Sequence, residues 1–364
     1  MTAFRIPVTM LAALALSNQS LAYDLNDKLS INGLIAGAVQ CQELSDTDAK
    51  NGCKGGLPLQ LEATYQATDS DRFFLKAGLA AGNGLNNVSP FLIPAWAADL
   101  EDDVKEINGR NRNYLLTAWY QHTITFSSKN SVGLTLGLID STDYLDDNVY
   151  SNDEYTQFMN GALVNGPQSF LPSYDFGGAV EWDVGRWSLR GVYMNIGEND
   201  DRNNLNFLGA QAGYTLETSL GEGHYRVLAV GTSSDFLDPG GTNNEKRVSV
   251  SFSFDQQFGK VVGAFLRVGW QADDAAVDYD AIYSGGIDIN GRAWGRGKDN
   301  IGLGYAYLSG GNLDVNKSYV AESYYRFVLN DHLALTADIQ YMNDVVDENG
   351  AKGWIFGLRA VSEF

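Results

Sequence analysis

Short segments in which apolar and polar residues alternate recur along nearly the whole chain. In residues 248–255, the run VSVSFSFD, valine and phenylalanine occupy every second position, and serine and aspartate occupy the positions between them. The final segment, residues 352–364, shows the same period of two. This period is typical of a β-strand whose two faces meet different surroundings. Because no amphipathic helix of useful length is visible, the pattern predicts an all-β protein.

Marking each alternating run gives sixteen predicted strands, separated by connections that alternate long and short from the first to the last. The two longest connections, 83–111 and 141–172, far exceed the roughly four to six residues of an ordinary connection. The predicted strands are 27–39, 57–67, 71–82, 112–126, 131–140, 173–185, 187–197, 206–219, 223–233, 246–257, 260–271, 281–292, 299–309, 317–329, 332–342 and 352–364.

Two features of these strands predict a membrane-spanning fold. Their apolar faces have no second apolar layer to pack against, because the opposite faces carry Arg, Glu, Asp, Gln and Ser. In lipid only helices and closed barrels pair every backbone group, and outer-membrane barrels combine short periplasmic turns with long extracellular loops. We therefore expect an antiparallel transmembrane β-barrel of about 16 strands. A soluble β-sandwich or propeller is the alternative, although no blade-length repeat is visible.

The beginning of the chain predicts export. Arg5 precedes an apolar stretch of 11 residues, 6–16, and small residues stand at the −3 and −1 positions of a cleavage site after Ala22. The apolar stretch is too short for a membrane helix, which needs about 20 residues. We expect residues 1–22 to be a cleaved signal peptide and residues 23–364 to form the barrel domain.

The chain has two cysteines, Cys41 and Cys53. Their spacing does not fit a CxxC redox or zinc motif, and the exported compartment is oxidising. We expect them to form a disulfide that closes a loop, with two free thiols as the alternative.

Composition narrows the function classes. The 45 acidic and 25 basic residues give a net charge of −20 over 364 residues, which argues against a nucleic-acid partner. A mean hydropathy of −0.20 argues against a bundle of membrane helices and leaves a membrane barrel possible. The aromatic content of 12% suits the girdles at the two lipid–water boundaries. The expected girdle residues are Trp187, Trp270, Tyr305, Tyr307, Tyr325, Tyr341 and Trp354.

Four segments resemble the carbohydrate-selective porin (OprB) family: GLIDSTDYLDDNVYSNDEYTQFMNGAL at 137–163, DNIGLGYAYL at 299–308, ESYYRFVLNDHLALTADIQYM at 322–342 and GLRAVSEF at 357–364. The family usually has proline where this chain has Ala337. The resemblance implies a 16-stranded outer-membrane porin that passes glucose-like sugars by passive diffusion, with no enzyme activity and no cofactor. A terminal aromatic residue, here Phe364, is what exported barrels generally present to their assembly machinery.

Strand alternation also predicts which charged side chains line the pore. Sugar hydroxyls both donate and accept hydrogen bonds, so a mixture of cations and carboxylates suits them, and an arginine can reach two adjacent hydroxyls. The alternative is that these residues only hydrate the channel and pair with one another. The predicted pore-lining residues are the cations Lys76, Arg190, Arg226, Arg267, Arg326 and Arg359, the carboxylates Glu62, Glu181, Glu322 and Asp338, and the amides Gln60, Gln211 and Gln340.

The two long connections carry further candidate chemistry. Acidic residues between Asp143 and Glu154 do not match an EF-hand, so no metal site is assigned and a solvated or hydrogen-bonded loop is expected, with a divalent-cation site as the alternative. The three histidines, His122, His224 and His332, lie in no catalytic motif, so no enzyme is predicted. A general diffusion porin with ion or carboxylate preference, or a plugged structural barrel, remains an alternative function. Five aromatic residues either stack on sugar or form the core of the loops: Trp96, Tyr144, Tyr150, Tyr155 and Phe158.

Overall fold

The protein is described by a computed structural model that covers residues 23–45, 47–347 and 350–364. The expected signal peptide, residues 1–22, lies outside the described residues. Among the described residues, no helix is long and apolar enough to span a membrane. The elements are β1 (Tyr23–Asn26), β2 (Leu29–Ser45), β3 (Gly52–Gln66), β4 (Asp71–Ala81), β5 (Leu115–Ser127), β6 (Asn130–Ile139), α1 (Gly161–Val164), β7 (Asp175–Val184), β8 (Trp187–Ile196), β9 (Leu205–Glu217), β10 (Glu222–Thr232), β11 (Phe236–Leu237), β12 (Asn244–Glu245), β13 (Val248–Phe258), β14 (Val262–Gln271), β15 (Tyr279–Asn290), β16 (Asn300–Gly310), β17 (Val315–Asn330), β18 (Leu333–Val346) and β19 (Ala351–Glu363).

Sixteen of these strands form one closed antiparallel barrel. Strands β2 to β10 and β13 to β19 each pair with the next along the chain, and β19 pairs back onto β2 with Phe356 opposite Cys41. Each barrel strand overlaps one of the sixteen predicted strands, so the predicted fold class is confirmed. Closure leaves no unpaired sheet edge, which is the condition for crossing lipid with strands.

The first hairpin is longer than its sequence indicates. Residues 40–56 are predicted as a loop, but β2 continues to Ser45 and β3 begins at Gly52, leaving a tip of six residues. Cys41 lies directly opposite Cys53 in the pairing register, and the two form a disulfide between neighbouring strands. Both faces of this segment are polar, which hides the alternation by which the other strands are recognised.

The connections divide the barrel into two ends. The loop end holds the connections of more than 30 residues, and the turn end holds the start of β2, the end of β19 and mostly short turns. The alternation of lengths fails once, because residues 291–299 at the turn end form a nine-residue turn that contains the 3-10 helix Gly291–Trp294. The loop-end connection that follows, 311–314, has only four residues.

The outer surface of the barrel is apolar. Leu136, Leu208 and Leu358 each expose more than 60% of their surface, and every second residue along their strands points outward in the same way. An outward apolar belt of this kind is what a lipid-embedded barrel presents. At the seam, the backbones of Gly33 and Phe364 exchange hydrogen bonds of 2.8 and 3.0 Å, and the Phe364 ring fills the space that a larger side chain at position 33 would need.

The interior is partly filled by the two longest connections, which we call loop A (residues 82–114) and loop B (residues 140–174). Their apolar side chains pack against inward residues of the barrel in continuous clusters. Phe158 of loop B contacts Phe265 of β14 and Tyr324 of β17 edge to face, and Trp96 of loop A contacts Tyr155 of loop B. Four of the five loop aromatic residues are therefore buried as core, with Tyr150 partly buried beside them.

Candidate functional site

Loop B is fastened to the far side of the lumen by arginines from the barrel. The Arg267 side chain on β14 is fully buried, with its Nε 2.9 Å from Oδ1 of Asp146, and its guanidinium also donates to the Ser151 carbonyl at 3.1 Å. Arg226 on β10 forms ion pairs of 2.9 Å with Asp147 and 2.6 Å with Asp255. These contacts hold an acidic loop against a basic wall.

The last strands of the barrel complete this attachment. Arg359 on β19 donates to the main-chain carbonyls of Glu154 at 2.7 Å and Gln157 at 2.9 Å. Glu322 on β17 accepts hydrogen bonds from the backbone N–H groups of Met159 (2.6 Å) and Asn160 (3.0 Å), which precede α1. We call the inner faces of β9, β10 and β13 to β19, together with β2, the covered wall.

The structure corrects the sequence prediction for five of the ten charged residues. Each points inward as predicted, but loop B lies over the group, so that these side chains are buried rather than lining an open pore. Alternation shows which face of a strand a residue occupies and carries no information about what packs on that face. The five residues are Arg226, Arg267, Arg359, Glu322 and Asp338.

The opposite side of the lumen, the inner faces of β3 to β8, keeps most of its charged residues accessible, and we call it the open wall. Asp175 at the start of β7 is an exception, because it is buried and pairs with Arg110 of loop A. Glu62 and Lys76 pair at 3.9 Å, and Arg190 lies 3.7 Å from Glu181 and 2.8 Å from Asp183. No hydrogen bond or ion pair from loop A or loop B reaches these side chains within the described residues. Four predicted residues, Lys76, Arg190, Glu62 and Glu181, therefore keep accessible surface on the open wall.

Arg326, the remaining predicted residue, lies on β17 and is partly buried. It is in register with Asn300 and Thr336, and its Nε is buried with no hydrogen-bond partner in the described part of the chain. It stands apart from the cluster on the open wall, so its contact with a solute stays a prediction.

Lys76 faces a group of carboxylates from three elements. Asp99 of loop A and Asp140 and Asp143 of loop B act on it electrostatically, in addition to Glu62. Burial, strengthened by Asp140, raises the pKa of Asp143 to about 7. Burial also raises the pKa of Asp99, against the opposing effects of its hydrogen bonds and of Lys76. Lys76 thus lies opposite several loop carboxyls.

An aromatic surface on the open wall was absent from the sequence prediction. Phe74 and Trp119 stack with their ring centroids 4.9 Å apart, and the Arg72 guanidinium lies 5.1 Å from the Trp119 ring. Arg72 also donates to Gln121 at 2.8 Å. Positions 72, 74 and 76 alternate inward on β4, so the signal was present in the sequence. Apolar ring faces beside polar groups match the two kinds of surface that a sugar presents.

Two cavities are present, one toward each end of the barrel. A loop-end cavity of about 470 Å³ is lined by loop A residues and Tyr174, and a turn-end cavity of about 410 Å³ is lined by Gln60, Glu62 and Glu363. Asp99 lines the first cavity, Gln60 lines the second, and the Gln60 amide donates to Asp99 at 2.8 Å. The narrow part of the lumen therefore lies where loop A meets β3.

Three residues of the acidic run of loop B are paired within the protein. Asp146 and Asp147 bind arginines of the covered wall, and Asp153 accepts hydrogen bonds from the backbones of Tyr155 and Thr156. Among the described residues no cluster of three or more His, Cys, Asp or Glu side chains is arranged to hold a metal ion. These acidic residues hold loop B in place.

A closed barrel with an apolar exterior and a polar lumen narrowed by two inward loops defines the class of porin channels. Residues 97–364 match the family described as "Carbohydrate-selective porin, OprB family". The chain belongs to this family, which confirms the resemblance seen in its sequence. The family and the fold are those of an integral β-barrel protein of the outer membrane.

Individual proteins are similar to this chain in sequence or in fold. An uncharacterized protein of Aquifex aeolicus (strain VF5) is 32% identical over 277 residues, which cover 74% of this chain and 78% of the relative. The high-pH structure of Pseudomonas putida OprB has a TM-score of 0.73 at 15% identity, covering 93% of this chain and 95% of that one. An anion-selective porin from Comamonas acidovorans has a TM-score of 0.53 at 13% identity, covering 92% and 99%. At these identities, the solved structures show a shared fold.

Proposed function

We propose that small, glucose-like sugars cross the outer membrane through the space between the open wall and the two inward loops. The observation that supports this most is the open wall itself, where accessible charged pairs stand beside a stacked aromatic surface. Glu62, Lys76, Glu181 and Arg190 supply acceptors and donors, and Phe74 with Trp119 supplies an apolar face. The lumen therefore offers polar groups for the hydroxyls of a sugar and an apolar face for its ring.

Transport through such a site is passive. A sugar enters at the loop end, which faces the cell exterior in this proposal, and exchanges bound water for hydrogen bonds at the narrow part of the lumen. It then leaves through the turn-end cavity down its gradient. Binding has to be weak, because a solute that binds tightly leaves slowly and blocks the next one. No cofactor and no catalytic residue take part.

The two ends of the chain carry the signals that we propose for export and for assembly. We propose that residues 1–22 direct export and are removed, and that Phe364 presents the completed C-terminal strand to the barrel-assembly machinery. The apolar belt then contacts outer-membrane lipid. This arrangement is supported by the antiparallel seam of β19 and β2, where Phe364 lies on Gly33.

The test is the current through single channels of the refolded protein in a planar bilayer, titrated with glucose, with a disaccharide as the size control. We expect an open channel whose current falls saturably with glucose. A current that no sugar reduces would support a general diffusion porin instead, and the absence of any conductance would support a plugged structural barrel.

A further inference from the structure

We propose that this channel passes cationic solutes, including amino sugars, in preference to anionic ones such as uronic acids, and that Asp143 is the residue that contributes most to this selectivity. The inference rests on the proposed sugar-porin function and specifies its substrate class. It depends on three observations: where the arginines are held, which carboxylates face the lumen, and how charge is divided between the barrel ends.

Three of the inward arginines that would favour anions are not available to a solute. Arg226, Arg267 and Arg359 are each at least 93% buried, and all three donate hydrogen bonds to loop B or to the wall. An arginine with its hydrogen bonds made and its surface covered adds little to the field inside the lumen, because its nearest carboxylate or carbonyl dipoles oppose it. Counting inward arginines from the sequence therefore overstates the positive charge of the pore.

Carboxylates surround the lysine on the other side of the lumen. Lys76 lies on the open wall and faces Glu62, Asp99, Asp140 and Asp143. Asp99 and Asp140 are engaged by hydrogen bonds from Gln60, Tyr174 and Thr142. Asp143 differs from them, because within the described residues it makes no hydrogen bond or ion pair, and its side chain keeps accessible surface although neighbouring groups of the barrel and loops enclose it.

Charge at the two ends of the barrel acts in the same direction. The eight connections at the loop end contain 25 acidic and 7 basic residues, whereas the seven turns at the other end contain 3 acidic and 6 basic residues. A mouth with this excess of negative charge concentrates cations and repels anions before they reach the narrow part of the lumen. The charge at the mouth and the charge of Asp143 therefore both favour cations over anions.

The selectivity should depend on pH in a defined direction. The groups that face Asp143 are Asp140 of the same loop, Asp99 of loop A, Glu62 of β3 and Lys76 of β4. Since the pKa of Asp143 is raised to about 7, its carboxyl is mostly protonated at pH 5.5 and ionised at pH 8.5. Cation preference should therefore increase as the pH rises through neutrality, and a permeability ratio that does not change between pH 5.5 and pH 8.5 would contradict this role of Asp143.

The first experiment measures reversal potentials in a KCl gradient for the refolded full-length channel. We expect the wild type to prefer potassium, and Asp143→Asn to lower the potassium-to-chloride permeability ratio by about threefold. Asp69→Asn, the same charge change in an exposed turn, is the matched control and should leave the ratio unchanged. Lys76→Gln should raise the ratio, which keeps the test valid if Asp143→Asn does not fold. Chloride preference in the wild type, or no change in either lumen variant, would overturn the proposal.

The second experiment compares the uptake of glucose, glucosamine and glucuronate into proteoliposomes. We expect glucosamine to enter at least as fast as glucose and glucuronate to enter several times more slowly. If glucose itself does not enter, the proposed function fails. If glucose enters and glucuronate enters as fast as glucosamine, the proposed function stands and the selectivity inference fails.

Discussion

The covered wall and the open wall are built from the same kind of strand and the same residue types, but they serve different purposes. On the covered wall Arg267 is completely buried and bound to Asp146 and Ser151. On the open wall the Arg190 side chain remains 18% exposed beside Glu181 and Asp183. An inward arginine in this barrel is therefore structural or solute-facing according to whether a loop lies over it.

The energetics of the two walls differ accordingly. Removing one partner of a buried ion pair leaves an uncompensated charge and costs about 3–5 kcal/mol, whereas an exposed pair is worth about 0–1 kcal/mol. Substitutions on the covered wall should therefore change the shape and stability of the channel. Substitutions on the open wall should change the affinity for a solute with little effect on the fold.

The largest effect is expected from Arg267→Ala. The change leaves Asp146 buried without its partner, so we expect unfolding of the refolded barrel to require about 3–5 kcal/mol less free energy. Because loop B loses an attachment, the single-channel conductance should rise and become noisier. Denaturant titration and bilayer recording measure the two effects, with Arg186→Ala at an exposed turn as the control. A variant with wild-type stability and conductance would show that Arg267 does not hold loop B.

A smaller effect is expected from Trp119→Leu. This change removes the stacked surface beside Phe74 while keeping an apolar side chain, so sugar affinity should fall about tenfold. The concentration of glucose that halves the channel current measures this loss. Trp187→Leu, on the outer surface, is the matched control and should leave the titration unaltered. If the two tryptophan variants gave the same glucose titration, the aromatic surface would not be part of the binding site.

The smallest effect is expected from Glu181→Gln. The carboxylate pairs with Arg190 and accepts a hydrogen bond of 2.7 Å from Gln121, and the amide keeps the size of the side chain while losing its charge. We expect glucose affinity to fall about threefold, with stability changed by less than about 1 kcal/mol. Current block and denaturant titration of the same preparation check this. A loss of stability as large as that of Arg267→Ala would place Glu181 among the structural residues.

The sequence predicts the strands well and the interior poorly, for a physical reason. A strand such as Val248–Phe258 is recognised from side chains two residues apart, because its outer face is apolar and its inner face is polar along its whole length. Arg267 is covered by loop B because it pairs with Asp146, which lies 121 residues away in the sequence. No local sequence pattern predicts a contact between residues so far apart. Trp119 and Arg72 could have been found by extending the alternation of β4 and β5, whereas the burial of Arg359 under Glu154 could not.

The central claim is that sugar is bound by the open wall, and glucose titration of the single-channel current through Arg190→Ala tests it most directly. We predict that this variant keeps the wild-type conductance, because no loop is attached to Arg190, and needs about tenfold more glucose for half-maximal block, because a charged hydrogen-bond donor is lost. A glucose titration identical to that of the wild type, in a channel of unchanged conductance, would contradict the assignment of the open wall as the sugar-binding surface.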